Sequence, residues 1–414
     1  MLAVVSAGCS PKHIEPTVSP PPSAPNPDAA PPASDRATVP PTVPTPAPRT
    51  LAAVLAADAE KWTATSDQRE ASRTGHRRNE AKLAEALRKN RAASLPPEVI
   101  GEVNLYRKTP TGSSFGTAVA LSPDGTRLVV AESDLSAKDP KNWHRVLDLV
   151  SSAEICRFDV GTGGALGAGL VFSADGAVLG VGKPDNRISL FDSATGTLRN
   201  RANVGGPIWS LASLSDGSGW VASVAGNLVK LHPTTGEIVK KYGKEPFQAS
   251  RTVVSPSASM IATYSKSLSF GKPNEECISV WETATGNRLV EFDRRRSGVP
   301  SGLLFSPDSR VLYSLENNEL VAWDLSNGGS RVVLQAKQIY DPVLSADGTL
   351  FAYYSDPELV IHDLASGKDR RLRTKQFWPD SNPRFFPGGT LLATSSNSHF
   401  VVWDLTLARP AVGK

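Results

Sequence analysis

From residue 98 onward the chain alternates short apolar runs with clusters of turn-forming residues, and the alternation repeats over a long period. Seven times an apolar run leads into a turn of the Ser-x-Asp-Gly kind: LSPDG at Asp124, FSADG at Asp175, LSDG at Asp216, VSPSA at Ser257, FSPDS at Asp308, LSADG at Asp347 and FFPGG at Gly388. Successive positions differ by 51, 41, 41, 51, 39 and 41 residues. A second marker follows each turn, an apolar stretch closing on a bulky residue and usually an acid: VLDL at Leu147, LFDS at Phe191, KLHP at His232, VWET at Trp281, AWDL at Trp323, IHDL at His362 and VWDL at Trp403. Short apolar runs bounded by Pro, Asp, Asn and Gly are strand and hairpin signals. In the fifth copy they predict strands over 303–305, 311–314, 320–323 and 332–334, with turns at 307–309, 317–318 and 327–329. Most copies also place a turn-tolerant or polar residue six positions before the bulky marker: Asp185, Gly226, Glu275, Asn317, Asp356 and Asn397.

Four strands repeated at about 40 residues are propeller blades, so the pattern predicts an all-β, seven-bladed β-propeller over residues 98–414. Closure follows from counting strands. The last copy ends in TLARPAVGK, too short and irregular for a fourth strand, whereas the run Glu102, Val103, Asn104, Leu105, Tyr106 precedes the first copy and has no blade of its own. A strand at 102–107 is therefore expected to complete the seventh blade, which removes an exposed sheet edge.

Over about three quarters of its length the chain resembles the WD40-repeat family. Trp281-Glu282, Trp323-Asp324 and Trp403-Asp404 match that family's terminal dipeptide, and Ser-Pro-Asp-Gly matches the hairpin between its first two strands. The Gly-His that precedes each first strand in the family is missing throughout, so the repeats are degenerate and the family's Ser/His/Asp/Trp hydrogen-bond network is not expected. His232 and His362 read as occupants of the Trp position, packed at strand ends rather than ligating a metal.

The segment before the repeats divides in three. Residues 1–9, MLAVVSAGCS up to its cysteine, resemble the end of a bacterial lipoprotein signal peptide, with Cys9 as the lipidated residue. Residues 10–49 hold 14 of the 33 prolines and almost no large apolar residue, which predicts a disordered, polyproline-II-like linker. Residues 50–95 turn to Ala, Glu, Arg and Lys and predict a short basic helical neck, with Leu51, Val54, Leu55 and Trp62 near one face and Leu83 and Leu87 on another. Its basic residues read as a solvated helix surface or as an arm for anionic headgroups.

Charge and composition then exclude several classes. A net charge of +4 from 45 basic and 41 acidic residues gives no reason to expect nucleic acid. Three cysteines cannot staple a small secreted fold, and no run of eighteen apolar residues predicts a spanning helix. The six histidines show no HxxxH or HExxH spacing, and GTGGALGAG at 161–169 lacks the Lys of a phosphate loop, so no metal, cofactor or catalytic set is predicted. Two copies carry insertions between their second and third strands, ESDLSAKDPKNWHR and YSKSLSFGKPNEECI, on the face that also holds the crossings between blades. That face is the expected working surface. Its candidate partner-binding residues are Trp143, Trp209, Phe247, Phe270, Arg294, Arg295, Arg296, Tyr340 and Trp378, because Trp, Tyr and Arg anchor protein interfaces. The expectation is a non-enzymatic protein-binding scaffold, monomeric as a propeller and lipid-anchored at a bacterial cell envelope. The alternatives are a glycan- or peptidoglycan-binding module and a propeller hydrolase or lyase, with a cytoplasmic location if Cys9 carries no lipid.

Overall fold

In four of the seven repeats the turn after the first strand closes on itself through its own side chains. In the first, the Ser122 hydroxyl donates to Asp124, Asp124 Oδ1 accepts the Thr126 N–H at 3.1 Å, and the Arg127 N–H returns to the Ser122 hydroxyl at 2.9 Å. Gly125 takes φ +73° in that turn, a value favourable only without a Cβ. The same set recurs at Ser173, Ser306 and Ser345, so one short motif sets the hairpin angle in blade after blade.

A computed structural model of the chain describes residues 49–89, 91, 95, 98–105, 107–109, 112–134, 141–160, 169–182, 185–243, 247–267, 276–293, 302–355, 357–372, 383–395 and 399–406. Cys9, nearly all of the Pro-rich linker, and the tips of both insertions lie outside these residues. The described residues form seven antiparallel sheets in strand order, a seven-bladed β-propeller. Blade 5 shows the pattern: Gly302–Phe305, Val311–Glu316, Glu319–Asp324 and Ser330–Gln335, with Asn317 and Asn318 at φ +47° and +64° in the tight turn between the middle strands. The inserted residues of blades 1 and 4 lengthen their central hairpins, whose strands run to eight or seven residues.

Blade 7 consists of Arg384–Phe385, Leu391–Ser395, His399–Asp404 and, outermost, the N-terminal strand Val99–Asn104. The closing strand starts three residues ahead of the expected 102–107 span, and Arg107–Thr109 instead pairs with Gly112–Leu121 as a fifth strand of blade 1. The apolar positions explain the earlier start: Val99, Ile100, Val103 and Leu105 are all buried.

The neck is two helices, α1 (Leu51–Ala64) and α2 (Ser66–Lys89). Thr50 caps α1 by accepting the Ala53 N–H. Val54 and Leu55 of α1 join the core between blades 4 and 5, with Met260, Phe292, Phe305 and Trp323. Leu83, Ala84 and Leu87 of α2 join the core between blades 7 and 1, with Ile100, Leu128 and Phe386. Arg77, Arg78, Lys82, Arg88 and Lys89 are exposed, as a solvated helix surface requires, yet several of the neck's basic residues also bond within the protein. Arg69 stacks on Trp62 at 3.4 Å from the ring centroid, Arg77 donates to the Gly388 carbonyl, Arg88 pairs with Asp404, and Arg91 donates to the carbonyls of Leu95 and Val99.

Part of the tryptophan network survives although the Gly-His is missing. The indole N–H groups of Trp281, Trp323 and Trp403 donate to Thr263 (3.2 Å), Ser314 (2.9 Å) and Thr394 (3.0 Å). His362 does stand at the Trp position, buried and bonded to Asp369 at 2.8 Å. His232 does not: it occupies the place of the following acid. Its Nδ1 accepts the N–H groups of Thr234 and Thr235, as Asp192 Oδ1 accepts those of Ala194 and Thr195.

Candidate partner-binding face

The first strand of every blade runs from the crossing between blades to the Ser-x-Asp-Gly turn, and the third strand runs the same way to the terminal acid. Both sets of turns therefore share one face, where backbone bonds tie them together: Leu149 N–H to Thr126 O at 2.9 Å, Leu325 N–H to Arg310 O at 3.0 Å and Leu405 N–H to Thr390 O at 3.0 Å. The neck binds this lower face, at turns of blades 4 and 7. The opposite, upper face holds the crossings and central hairpins.

Three of the nine candidate residues have described side chains, and they sit on three different blades of the upper face. Trp209 stands near the start of the first strand of blade 3 with 40% of its surface exposed. Tyr340 opens the first strand of blade 6, 46% exposed, its ring 6.4 Å from that of Tyr354. Trp143 lies near the start of the third strand of blade 1, half-buried, with the Arg157 guanidinium 5.9 Å from its ring centroid. Phe247 opens the first strand of blade 4, but its side chain lies outside the described residues, as do Phe270, Arg294, Arg295, Arg296 and Trp378 entirely.

Between these rims the channel holds a pocket of about 240 Å³, lined by the first strands of blades 3 to 7. Its lining includes Ser210 and Asp341, the chain neighbours of Trp209 and Tyr340, together with Arg251, Thr252, Pro342 and Arg384. The Arg251 side chain is exposed into this space. Thr252 keeps a buried hydroxyl with no hydrogen-bond partner. Burial lowers the Arg384 pKa from its ordinary value, an effect the nearby Asp341 carboxylate opposes. The repeat pattern singles out none of Arg251, Asp341 and Arg384. The available signal was a charge breaking the apolar run just ahead of a turn, in ASRTVVSP, IYDPVLSA and PRFFPGG.

Among the described residues no group of three or more His, Cys, Asp or Glu is placed to hold a metal. Cys156 is buried, Cys277 is half-buried with its sulfur 3.7 Å from the Ser279 hydroxyl, and burial raises the Cys156 pKa.

Many solved structures match this arrangement of strands. The β-propeller domain of Myceliophteria thermophila Cps50 (Swd1) superposes with a TM-score of 0.55 at 13% identity, over 73% of this chain and 99% of that one. The fold is a WD40-like propeller. No family model matches the sequence, and no curated protein does. At 13% identity the likeness concerns the arrangement of strands, so the binding face is argued from this chain's own residues.

Proposed function

We propose that this chain is a non-enzymatic protein-binding scaffold whose partner docks on the upper face, over the mouth of the channel. The observation that carries the reading is the pairing of two exposed aromatic rings, Trp209 and Tyr340, with a channel pocket that begins at the very next residues, Ser210 and Asp341. Aromatic anchors beside a concave, partly charged pocket suit a protein partner. The neck occupies the other face. In this reading the Pro-rich linker is a spacer, and a lipid on Cys9 holds the propeller at a bacterial envelope.

Photo-crosslinking in the native cell tests the docking face. A crosslinker at position 209 and one at 340 should yield the same discrete adduct, lost on Arg251→Ala, while one at Val332 on an outer strand should not. Adducts of unrelated sizes from the two positions would reject a common docking face. Saturable binding of purified protein to cell-wall fragments, lost on Trp209→Ala, would replace the protein partner with a glycan. Mass spectrometry of the native N-terminus tests the anchor, and an unmodified Cys9 would end that part of the reading.

A further inference from the structure

Five of the seven blade-opening turns carry an aspartate at their third position: Asp124, Asp175, Asp216, Asp308 and Asp347. Each Oδ1 accepts the backbone N–H two residues on, at 2.9 to 3.1 Å. The two turns without the acid have Ser257 in blade 4 and Gly388 in blade 7. Those two turns receive a carboxylate from the neck.

In blade 7, Glu80 of α2 stands in for the missing aspartate. Its Oε2 accepts the Thr390 N–H at 3.0 Å and the Thr390 hydroxyl, the two donors that Asp347 takes from Thr349 in blade 6, and its Oε1 accepts the Gly388 N–H. In blade 4, Asp58 of α1 accepts the hydroxyls of Ser257 at 2.7 Å and Ser259 at 2.5 Å. Both acids are buried, Asp58 to 6% and Glu80 to 3% exposure, which is tolerable for a carboxylate only when its oxygens are satisfied. The same two blades receive the neck's ion pairs, Arg49 with Glu282 at 2.6 Å and Arg88 with Asp404, at the acids that end their third strands.

Gly388 shows that the gap is shaped for the helix. Its φ is not in the left-handed region, so the turn does not itself require glycine. A Cβ there would lie 2.7 Å from Glu80 Oε1 and 2.8 Å from the Arg77 backbone nitrogen. Any side chain at 388, an aspartate included, would push α2 away.

We propose that residues 49–91 are the propeller's built-in ligand: the two acid-less turns are carboxylate sockets, and their occupation by Asp58 and Glu80 fixes where the neck lies on the lower face. The apolar contacts of Val54, Leu55, Leu83 and Leu87 supply adhesion, which is non-directional. The carboxylates, 22 positions apart in the chain and matched to two particular blades, supply register. The chain consequently enters the propeller at blade 4 and leaves the neck at blade 7, away from the face proposed for the partner.

Hydrogen exchange on the full chain, read by mass spectrometry, separates the neck from the blades. With Glu80→Gln, and independently with Gly388→Ala, the peptides of α2 should exchange at least tenfold faster while those from the strands of blades 2 to 5 keep their protection. The pair Gly388→Asp with Glu80→Gln moves the acid into the turn, and should restore protection at Thr390 while α2 stays exposed. Unchanged α2 protection in both single variants would mean that apolar contact alone places the neck. Loss of protection throughout the propeller would make the neck part of the fold's core rather than its ligand. Either result overturns the proposal.

Discussion

The smallest unit of order in this protein is a diagonal pair across two strands. Trp281, Trp323 and Trp403 close the third strands of blades 4, 5 and 7, and two residues beyond each one's cross-strand partner stands Thr263, Ser314 or Thr394, on the same face. Leu147, Phe191 and Leu231 close the third strands of blades 1, 2 and 3, and the corresponding diagonal residues are Val130, Val181 and Ala222. The chain thus supplies a hydroxyl where an indole N–H must be satisfied and an apolar group where nothing needs an acceptor. Thr394→Val keeps the shape and leaves the Trp403 N–H buried without its partner, so it should cost about 1–3 kcal/mol in urea unfolding. An equal stability would show that the indole bond carries no weight. These pairs were legible in the sequence only after the register was known, because the spacing from hydroxyl to indole is nine residues in blades 5 and 7 but eighteen in blade 4, where the insertion intervenes. His232 misled for a similar reason: a residue-type match placed it with the tryptophans, whereas its ring nitrogen accepts two backbone N–H groups as a carboxylate would.

Strands and turns were the most legible elements, since apolar alternation and the Ser-x-Asp-Gly chemistry are both local. Their acids make the fold sensitive to pH in a definite direction. A hydrogen bond from Arg199 holds Asp192 far below the ordinary carboxylate range. The hydroxyl of Ser326 does the same in kind for Asp324, that of Ser173 for Asp175, and the N–H of Ser366 for Asp363. A carboxylate whose folded pKa lies below its unfolded value of about 3.9 contributes stability that is present above that value and is lost as pH falls through the folded one. The urea midpoint should therefore be level above about pH 5 with respect to these groups and should drop steadily below pH 4. A midpoint unchanged between pH 6 and pH 3 would contradict the assignment. The neck was legible as helix and illegible as a docked element. Nothing local to the helices marks Asp58 and Glu80 for burial, since what buries them is a turn some two hundred or three hundred residues away. The charges at Arg251, Asp341 and Arg384 stayed hidden because a charge in a strand usually marks a solvent face. In a radial blade the innermost strand meets water at the channel.

At the scale of the whole molecule, a ring of seven blades has to be held shut, and the N-terminal segment does this with two devices of different kinds. Val99–Asn104 pairs with His399–Asp404, from Val103 opposite Phe400 to Val99 opposite Trp403, so backbone hydrogen bonds join the chain's beginning to its last blade. The neck then runs from blade 4 to blade 7 across the lower face and adds buried apolar contact, while among the described residues neither helix is part of a sheet. The packing shows how closely the two are fitted: a Cβ on Gly101 of the closing strand would come within 2.8 Å of Leu87 Cβ in α2. Two truncations tell the devices apart. A chain beginning at residue 94 lacks the neck and keeps the closing strand, and should melt at a lower temperature in a single transition with its strand circular dichroism intact. A chain beginning at residue 106 lacks both, leaves the buried edge of His399–Asp404 unpaired, and should show no cooperative transition and a tendency to aggregate. If both chains melt alike, the neck and the strand do one job between them. If only the second fails, closure belongs to the strand, and the neck is left to its two carboxylates and to the face they keep covered.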